Sequence, residues 1–300
     1  MGSALLEQLI NGLMMGSIYV LVGLGLVLIY GVMHVLNFAH GMLFMLGGYM
    51  TYTFFAFVTD SYVLAVVLAM LSLMAFGYIL EQGVFKPLRG NLRNQVIASL
   101  ALVLLIQNSV VAIWGPTALQ FKLSTADIFV PIGALRFSLQ HILIIVVTFA
   151  CMGVLFVFLK YTKFGTALRA TSQDNDAAMV VGINVQRMYW VSFAIGSALA
   201  ALGGALIGPL FLVFPQMGDL PLLKALAAIL LGGMGSIVGA VAGGLLIGVV
   251  EAIATIDTTP LIGFNLIGTD YRDAVTFVVI ILILLFRPQG LFGVRVRGEA

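Results

Sequence analysis

Residues 7–34 read EQLINGLMMGSIYVLVGLGLVLIYGVMH. Between Glu7 and His34 there is no Asp, Glu, Lys, Arg or His, and apolar residues fill the interval. A helix needs about 20 predominantly apolar residues to cross the hydrocarbon core of a bilayer, and this stretch exceeds that. The residues before it, Met1 to Ala4, lack the positively charged start and small-residue cleavage site of a secretory leader. The segment therefore reads as a retained membrane span.

Working outward, the rest of the chain has the same character. Only 9% of its 300 residues are charged and 62% are hydrophobic, against about 25% charged in soluble domains. Such a chain could not cover its own surface in water. In lipid its apolar side chains carry no penalty, provided every backbone polar group is paired within the protein. Further spans are expected at 38–58, 62–84, 96–114, 139–159, 188–213 and 271–286. Residues 222–256 are too long for one span and carry Gly232, Gly233 and Gly235. They read as a short helix, a break near Met234 and a second helix from Ile237. The expectation is a polytopic, all-α transmembrane bundle of eight or nine spans, nine if the broken region crosses twice. It forms a single domain over 1–300, with an inner loop at 160–187 and a short tail at 287–300.

Orientation follows from the basic residues. By parity of the spans, Lys86, Arg89, Arg93, Lys160, Lys163, Arg169, Arg187, Arg287, Arg295 and Arg297 share one side. Lys122, Arg136, Lys224 and Arg272 fall on the other. Because cytoplasmic loops are enriched in Lys and Arg, the larger group marks the cytoplasm. The N-terminus is then outside and the C-terminus cytoplasmic. Residues 115–138, with Pro116 and Pro131, form a long outer connection.

The inner loop carries the sharpest local signal. Asp174 is suited to cap a helix, since its carboxylate can accept from the free amides of the next turn. Asp176 places negative charge in that first turn, where the helix dipole favours it. Asn175, Ala177, Ala178, Met179, Val180 and Val181 continue the helix, and Gly182 is a natural stop. Residues 166–171 can add another helical turn. Such a short helix either rests on lipid headgroups or forms a knob that seats in a soluble partner. Its apolar side chains and its two aspartates favour the second use over binding anionic lipid.

Several other residues call for a role. Gly235, Gly239 and Gly243 recur every four residues, as do Ala240, Gly244 and Gly248. That spacing allows close helix packing, whereas the cluster Gly232, Gly233 and Gly235 interrupts the helix and is assigned to the border of a transport path and its gating. Asn37, His40 and Gly41 stand at a span start. Either Asn37 and His40 bond neighbouring backbone at a tight inner turn, or they and Gly41 border a transport path and its gating. Glu81 and Glu251 lie close to span ends and are expected to snorkel toward the interface. Cys151, alone in an apolar run, reads as a packing residue. No internal duplication is visible in the sequence.

Enzymatic chemistry has no support. None of the five lysines follows a glycine, as the Gly-Lys-Ser/Thr end of a phosphate-binding loop requires. His34, His40 and His141 are the only histidines and no cysteine pair exists, so no metal set is expected. No basic and aromatic interleaving points to nucleic acid. A self-sufficient, ion-coupled carrier would need a carboxylate deep in a span, and none is evident in the sequence.

Asp176-Ala177-Ala178 followed by Gly182 resembles the loop by which permeases of ATP-binding-cassette importers engage their ATPases, with Asp in place of Glu. The Ile-x-Leu-Pro continuation of that loop is missing, since Ser192, Ala194 and Ile195 occupy the spacing. A wider resemblance covers essentially the whole chain. Tyr30-Gly31-Val32 with 37–41 (NFAHG), 232–236 (GGMGS) with Gly239 and Ala240, and 286–293 (FRPQGLFG) resemble, in order, the branched-chain amino acid permeases of the LivH type. The resemblance implies a permease subunit in the bacterial inner membrane that binds no cofactor itself. It also implies a second related permease chain, two partner ATPases holding ATP and magnesium, and an extracytoplasmic solute-binding protein. Branched-chain or other small amino acids are the implied solutes, with urea or short amides as the alternative.

Overall fold

A computed structural model describes residues 2–120, 123, 128–132, 135–255, 272–287 and 289–292. Eleven helices are described: α1 Gly2–Met33, α2 His40–Phe57, α3 Tyr62–Leu80, α4 Leu92–Trp114, α5 Leu139–Tyr161, α6 Lys163–Gln173, α7 Asn175–Val180, α8 Val185–Ile207, α9 Asp219–Gly232, α10 Ile237–Ala254 and α11 Arg272–Phe286. One π turn, Glu81–Phe85, and one 3-10 turn, Lys86–Leu88, continue α3. Six helices are long and apolar enough to cross a membrane: α1, α3 with its extension, α4, α5, α8 and α10. The chain is thus a polytopic helical membrane protein. The connection between α4 and α5 holds a small addition to the all-helical expectation, an antiparallel hairpin of β1 Phe129–Ile132 and β2 Leu135–Ser138. Leu119 and Val213 also exchange backbone hydrogen bonds, tying this connection to the segment after α8.

Helices α1 and α8 are the buried centre, while α4 and α5 stand at the periphery. The central pair cross where Gly25 meets Gly196. A Cβ on either glycine would come within 2.6–2.7 Å of the other's carbonyl oxygen. Small residues at such a crossing let two backbones touch, and in lipid this packing stands in for the hydrophobic effect that drives association in water. Around the crossing, α10 runs along α1 and α3 runs along α8. Gly12 and Gly16 meet Gly248 and Leu245, and Gly77 meets Ser197.

The expected span 38–58 begins instead inside the bundle. After α1 ends at Met33, His34 takes φ 55° and the chain turns back. Helix α2 starts at His40, whose Nε2 lies 3.1 Å from the Val22 carbonyl. Val22 is eleven residues short of the end of α1, a depth of about 16 Å at 1.5 Å per residue. A matching return follows α8. Residues 208–218 lead inward to α9, whose first residue, Asp219, accepts from Gln107 Nε2 at 3.2 Å, in the interior of α4. The two starts touch, since a Cβ on Gly41 would lie 2.5 Å from the Gly218 carbonyl oxygen. The sequence α1, return, α2, α3 is therefore repeated with opposite direction as α8, return, α9, α10. Inverted pairs of this kind with half-helices starting at mid-depth recur in transporter folds. The duplication left no visible trace in the residues because the two copies share geometry and small contact residues rather than motifs.

Residues 222–256 do divide as the glycines indicate. Helix α9 ends at Gly232, Gly233 takes φ 100° and Gly235 φ 88°, and α10 starts at Ile237 under a Ser236 cap. The two helices then pack as a hairpin with Gly232 against Gly239 and Ala228 against Gly243.

The contact between the two half-helix starts predicts a sharp contrast between glycines. Gly41→Ala must displace the Gly218 backbone, whereas Gly153 on α5 has open space around its Cβ position. Overpacking costs typically about 1–3 kcal/mol, so Gly41→Ala should lower the thermal unfolding midpoint in detergent. Gly153→Ala should leave it unchanged or slightly raised, and equal behaviour of the two would contradict the packing assignment.

Candidate functional site

The knob at 174–182 forms as the residues dictate. Asp174 Oδ1 accepts from the amides of Asp176 at 2.8 Å and Ala177 at 2.9 Å, a cap of about 1 kcal/mol. At the other end Gly182 takes φ 85°. Its amide donates to Met179 O and that of Ile183 to Ala178 O, both at 3.0 Å, which closes the last carbonyls. Within the six-residue helix, Ala178 points inward at 2% exposure, while Met179, Val180 and Val181 are 54%, 88% and 74% exposed. Asn175 is half-buried and Asp176 and Ala177 are exposed.

The expected turn at 166–171 is a full helix, α6, set against α5 at Gly165, where a Cβ would meet the Phe158 carbonyl oxygen at 2.2 Å. Arg187, at the start of α8, lies over the Phe164 ring of α6 at 4.9 Å. The knob is thereby mounted on two helices rather than left on a loose loop.

From the knob a chain of contacts leads into the bundle. Gln186 follows the knob by four residues and accepts from Arg89, which also donates to Glu81. The Arg89 guanidinium stacks 4.2 Å from the Tyr189 ring centre. Glu81 is fully buried in the π turn that ends α3, and Phe85 of that turn packs on Phe193 of α8, ring centres 5.0 Å apart. The expectation that Glu81 reaches toward the interface is overturned. Its carboxylate is buried because a neighbouring guanidinium neutralises it, and an unpaired charge there would be costly.

Glu251 is corrected in the same way. It is 3% exposed and accepts from Lys224 Nζ and, at 2.6 Å, from the Tyr19 hydroxyl. Lys224, 2% exposed, also donates to Asp273 at 2.8 Å. Arg272 Nε lies 3.6 Å from both Glu251 and Asp273. Two cations and two carboxylates thus balance across α9, α10 and α11. Sequence reasoning missed this cluster because its members lie far apart along the chain. The signal available was the unusual position of Lys224 inside an apolar helix.

Asn37, His40 and Gly41 occupy the deep α2 start. Asn37 Oδ1 accepts from the Ala39 amide at 3.0 Å, and His40 faces the Val22 carbonyl. Asn37 and His40 thus bond nearby backbone, one of the two readings of these residues, at a place in the bundle interior rather than at an end turn. Gly232, Gly233 and Gly235 sit elsewhere, at the end of the bundle shared with α6. Gly235 borders a small cleft with Gly31, Arg169 and Ser172. The segment after α11 closes over the same turn: Leu291 N donates to Leu231 O at 2.7 Å and Phe292 N to Gly232 O at 3.0 Å. Gly290, at φ 77°, passes so close to Gly233 that a Cβ would lie 2.5 Å from its nitrogen. The FRPQGLFG ending thus supplies donors to the final carbonyls of α9. Of the tail, Gly293 to Ala300, including Arg295 and Arg297, lies outside the described residues, as do Lys122 and residues 256–271.

Comparison with known proteins accords with this architecture. The family model described as branched-chain amino acid transport system, permease component, matches residues 8–284. The high-affinity branched-chain amino acid transport permease BraD of Pseudomonas aeruginosa is 35% identical over 96% of this chain and 95% of its own length. The corresponding LivH of Escherichia coli K12 is 32% identical with the same coverage. A fructose import permease, FrcC of Rhizobium meliloti, is 28% identical over 47% of this chain and 38% of its own. No solved structure matches. A helical bundle matched across nearly its full length in this way is a transport subunit rather than an enzyme, and the chain belongs to the family of branched-chain amino acid transport permease components.

Proposed function

We propose that this chain is the membrane-spanning subunit of an ATP-binding-cassette importer for branched-chain or other small amino acids, driven through the knob at 174–182. The observation that carries the reading is the knob itself: a helix capped at both ends that holds Met179, Val180 and Val181 out of the bundle. Three exposed apolar side chains beside Asp174 and Asp176 fit a groove on a soluble ATPase. Lys86, Arg89, Arg93, Lys160, Lys163, Arg169 and Arg187 flank the same end, which the positive-inside rule assigns to the cytoplasm. The α2–α3 turn then lies outside, and the full chain crosses nine times with the half-helices included.

In this reading two partner ATPases hold ATP and magnesium. A second, related permease chain completes the membrane unit in the inner membrane of a bacterium, and an extracytoplasmic receptor delivers the solute. Closure of the ATPases moves α7. The motion passes through Gln186, Arg89 and Glu81 to α3, and directly into α8, so a helix of the central pair and the helix packed along it both receive it. Solute choice rests largely with the receptor, which leaves urea or short amides as the alternative solutes.

Three measurements test the proposal. Val180→Asp with Val181→Asp should abolish co-purification with the ATPase and lower uptake at least tenfold, while membrane insertion persists; retained assembly would refute docking. Ala178 is the wrong probe, since it is buried and its replacement would damage the knob. In a Cys151→Ser background, a membrane-impermeant maleimide added to intact cells should label Asp60→Cys and spare Val180→Cys, and the reverse pattern would invert the topology. The purified chain alone should hydrolyse no ATP.

A further inference from the structure

Two cavities open beside the buried charge cluster and share Met15, Phe211 and Arg272 in their walls. One, of about 310 Å³, is the more polar of the two and includes Asn11, His141 and Glu251. The other, of about 300 Å³, is walled mainly by apolar groups, among them Phe44, Ile207, Leu212 and Met217, with Lys224 at one edge. Each volume is at the lower end of small-molecule sites, roughly 300–1,000 Å³. Arg272 stands on the boundary at 39% exposure, 3.6 Å from either carboxylate, a separation too long for a hydrogen bond.

We propose that this boundary is a subsite for the zwitterion of an aliphatic amino acid. The inference rests on the importer reading and names the part of the chain that handles its solute. Arg272 and Lys224 take the carboxylate, Glu251 takes the ammonium from the polar cavity, and the side chain enters the apolar one. The four charges of the empty cluster sum to zero. A zwitterion adds no net charge, so it enters without leaving an unbalanced ion in a medium that penalises one. An amine lacking the carboxylate, or an acid lacking the amine, would leave one. Apolar contact alone accounts for none of this, because ionisable groups inside a membrane protein are expensive unless they serve a pathway or a partner. Exchange of partners is feasible at Arg272, since its present contacts are loose and half-exposed.

The test uses the chain purified with its partner subunits, in a Cys151→Ser background carrying Leu220→Cys. Leu220 lines the apolar cavity and is 48% exposed. The labelling rate by a small thiol reagent is measured with leucine, leucinamide or isovalerate. Leucine should slow labelling at least fivefold and the other two should not. Arg272→Gln should remove the protection, and Arg272→Lys should restore part of it. No protection by leucine, equal protection by all three, or protection that survives Arg272→Gln would overturn the subsite. Leucine uptake by the unmodified assembly is followed in parallel. Its absence overturns the importer reading, while the labelling result, which needs no transport, still decides the subsite.

Discussion

The structure depends on backbones that touch. At the crossing of α1 and α8, and again where α2 and α9 begin, glycine faces glycine with no room for a methyl group. In water, apolar side chains could draw these helices together. Among lipid tails that force is lost, and contact area between backbones has to replace it. The two half-helices add a second constraint. Their starts expose amides inside the bundle, which is tolerated only where protein shields them. The central packing of α1 and α8 provides that shield, so the crossing and the half-helices require one another.

Much of this was legible in the residues, for identifiable reasons. The spans 96–114 and 139–159 appear as α4 and α5 because uninterrupted apolar runs leave a helix no competitor in lipid. The break at Gly232–Gly235 and the cap at Asp174 were readable because positive-φ glycines and short carboxylates act locally. The deep start of α2 was not. Nothing in residues 35–39 states how far the chain returns before becoming helical, since that depth is set by contacts with Val22 and Gly218. Glu81 and Glu251 were misplaced on similar grounds. A position near a span end looks wet in one dimension, yet Arg89 folds back over Glu81 from the next turn, and Lys224 and Tyr19 reach Glu251 from other helices.

The two charged clusters illustrate how the bundle divides its labour. Glu81 with Arg89 and Gln186 ties the first repeat to the knob, whereas Glu251 with Lys224, Asp273 and Arg272 belongs to the second repeat and borders the cavities. Each is balanced in charge or nearly so, which is how ionic groups persist among so many apolar neighbours. In the proposed function the first would carry the motion of the knob, and in the further inference the second would meet a solute.

The stitch between Gly290–Phe292 and the end of α9 fastens one corner of the bundle through backbone alone. In the second repeat, main-chain hydrogen bonds join the exit of α11 to the α9–α10 turn, so three helices are bound at one point without any side chain that could swing away. The corner between α3 and α4, on the side of the knob, is fastened by the partly exposed guanidinium of Arg89. In the proposed coupling, a push at the knob would load a hinge of side chains, while the α9–α10 turn is held by a rivet of main-chain bonds.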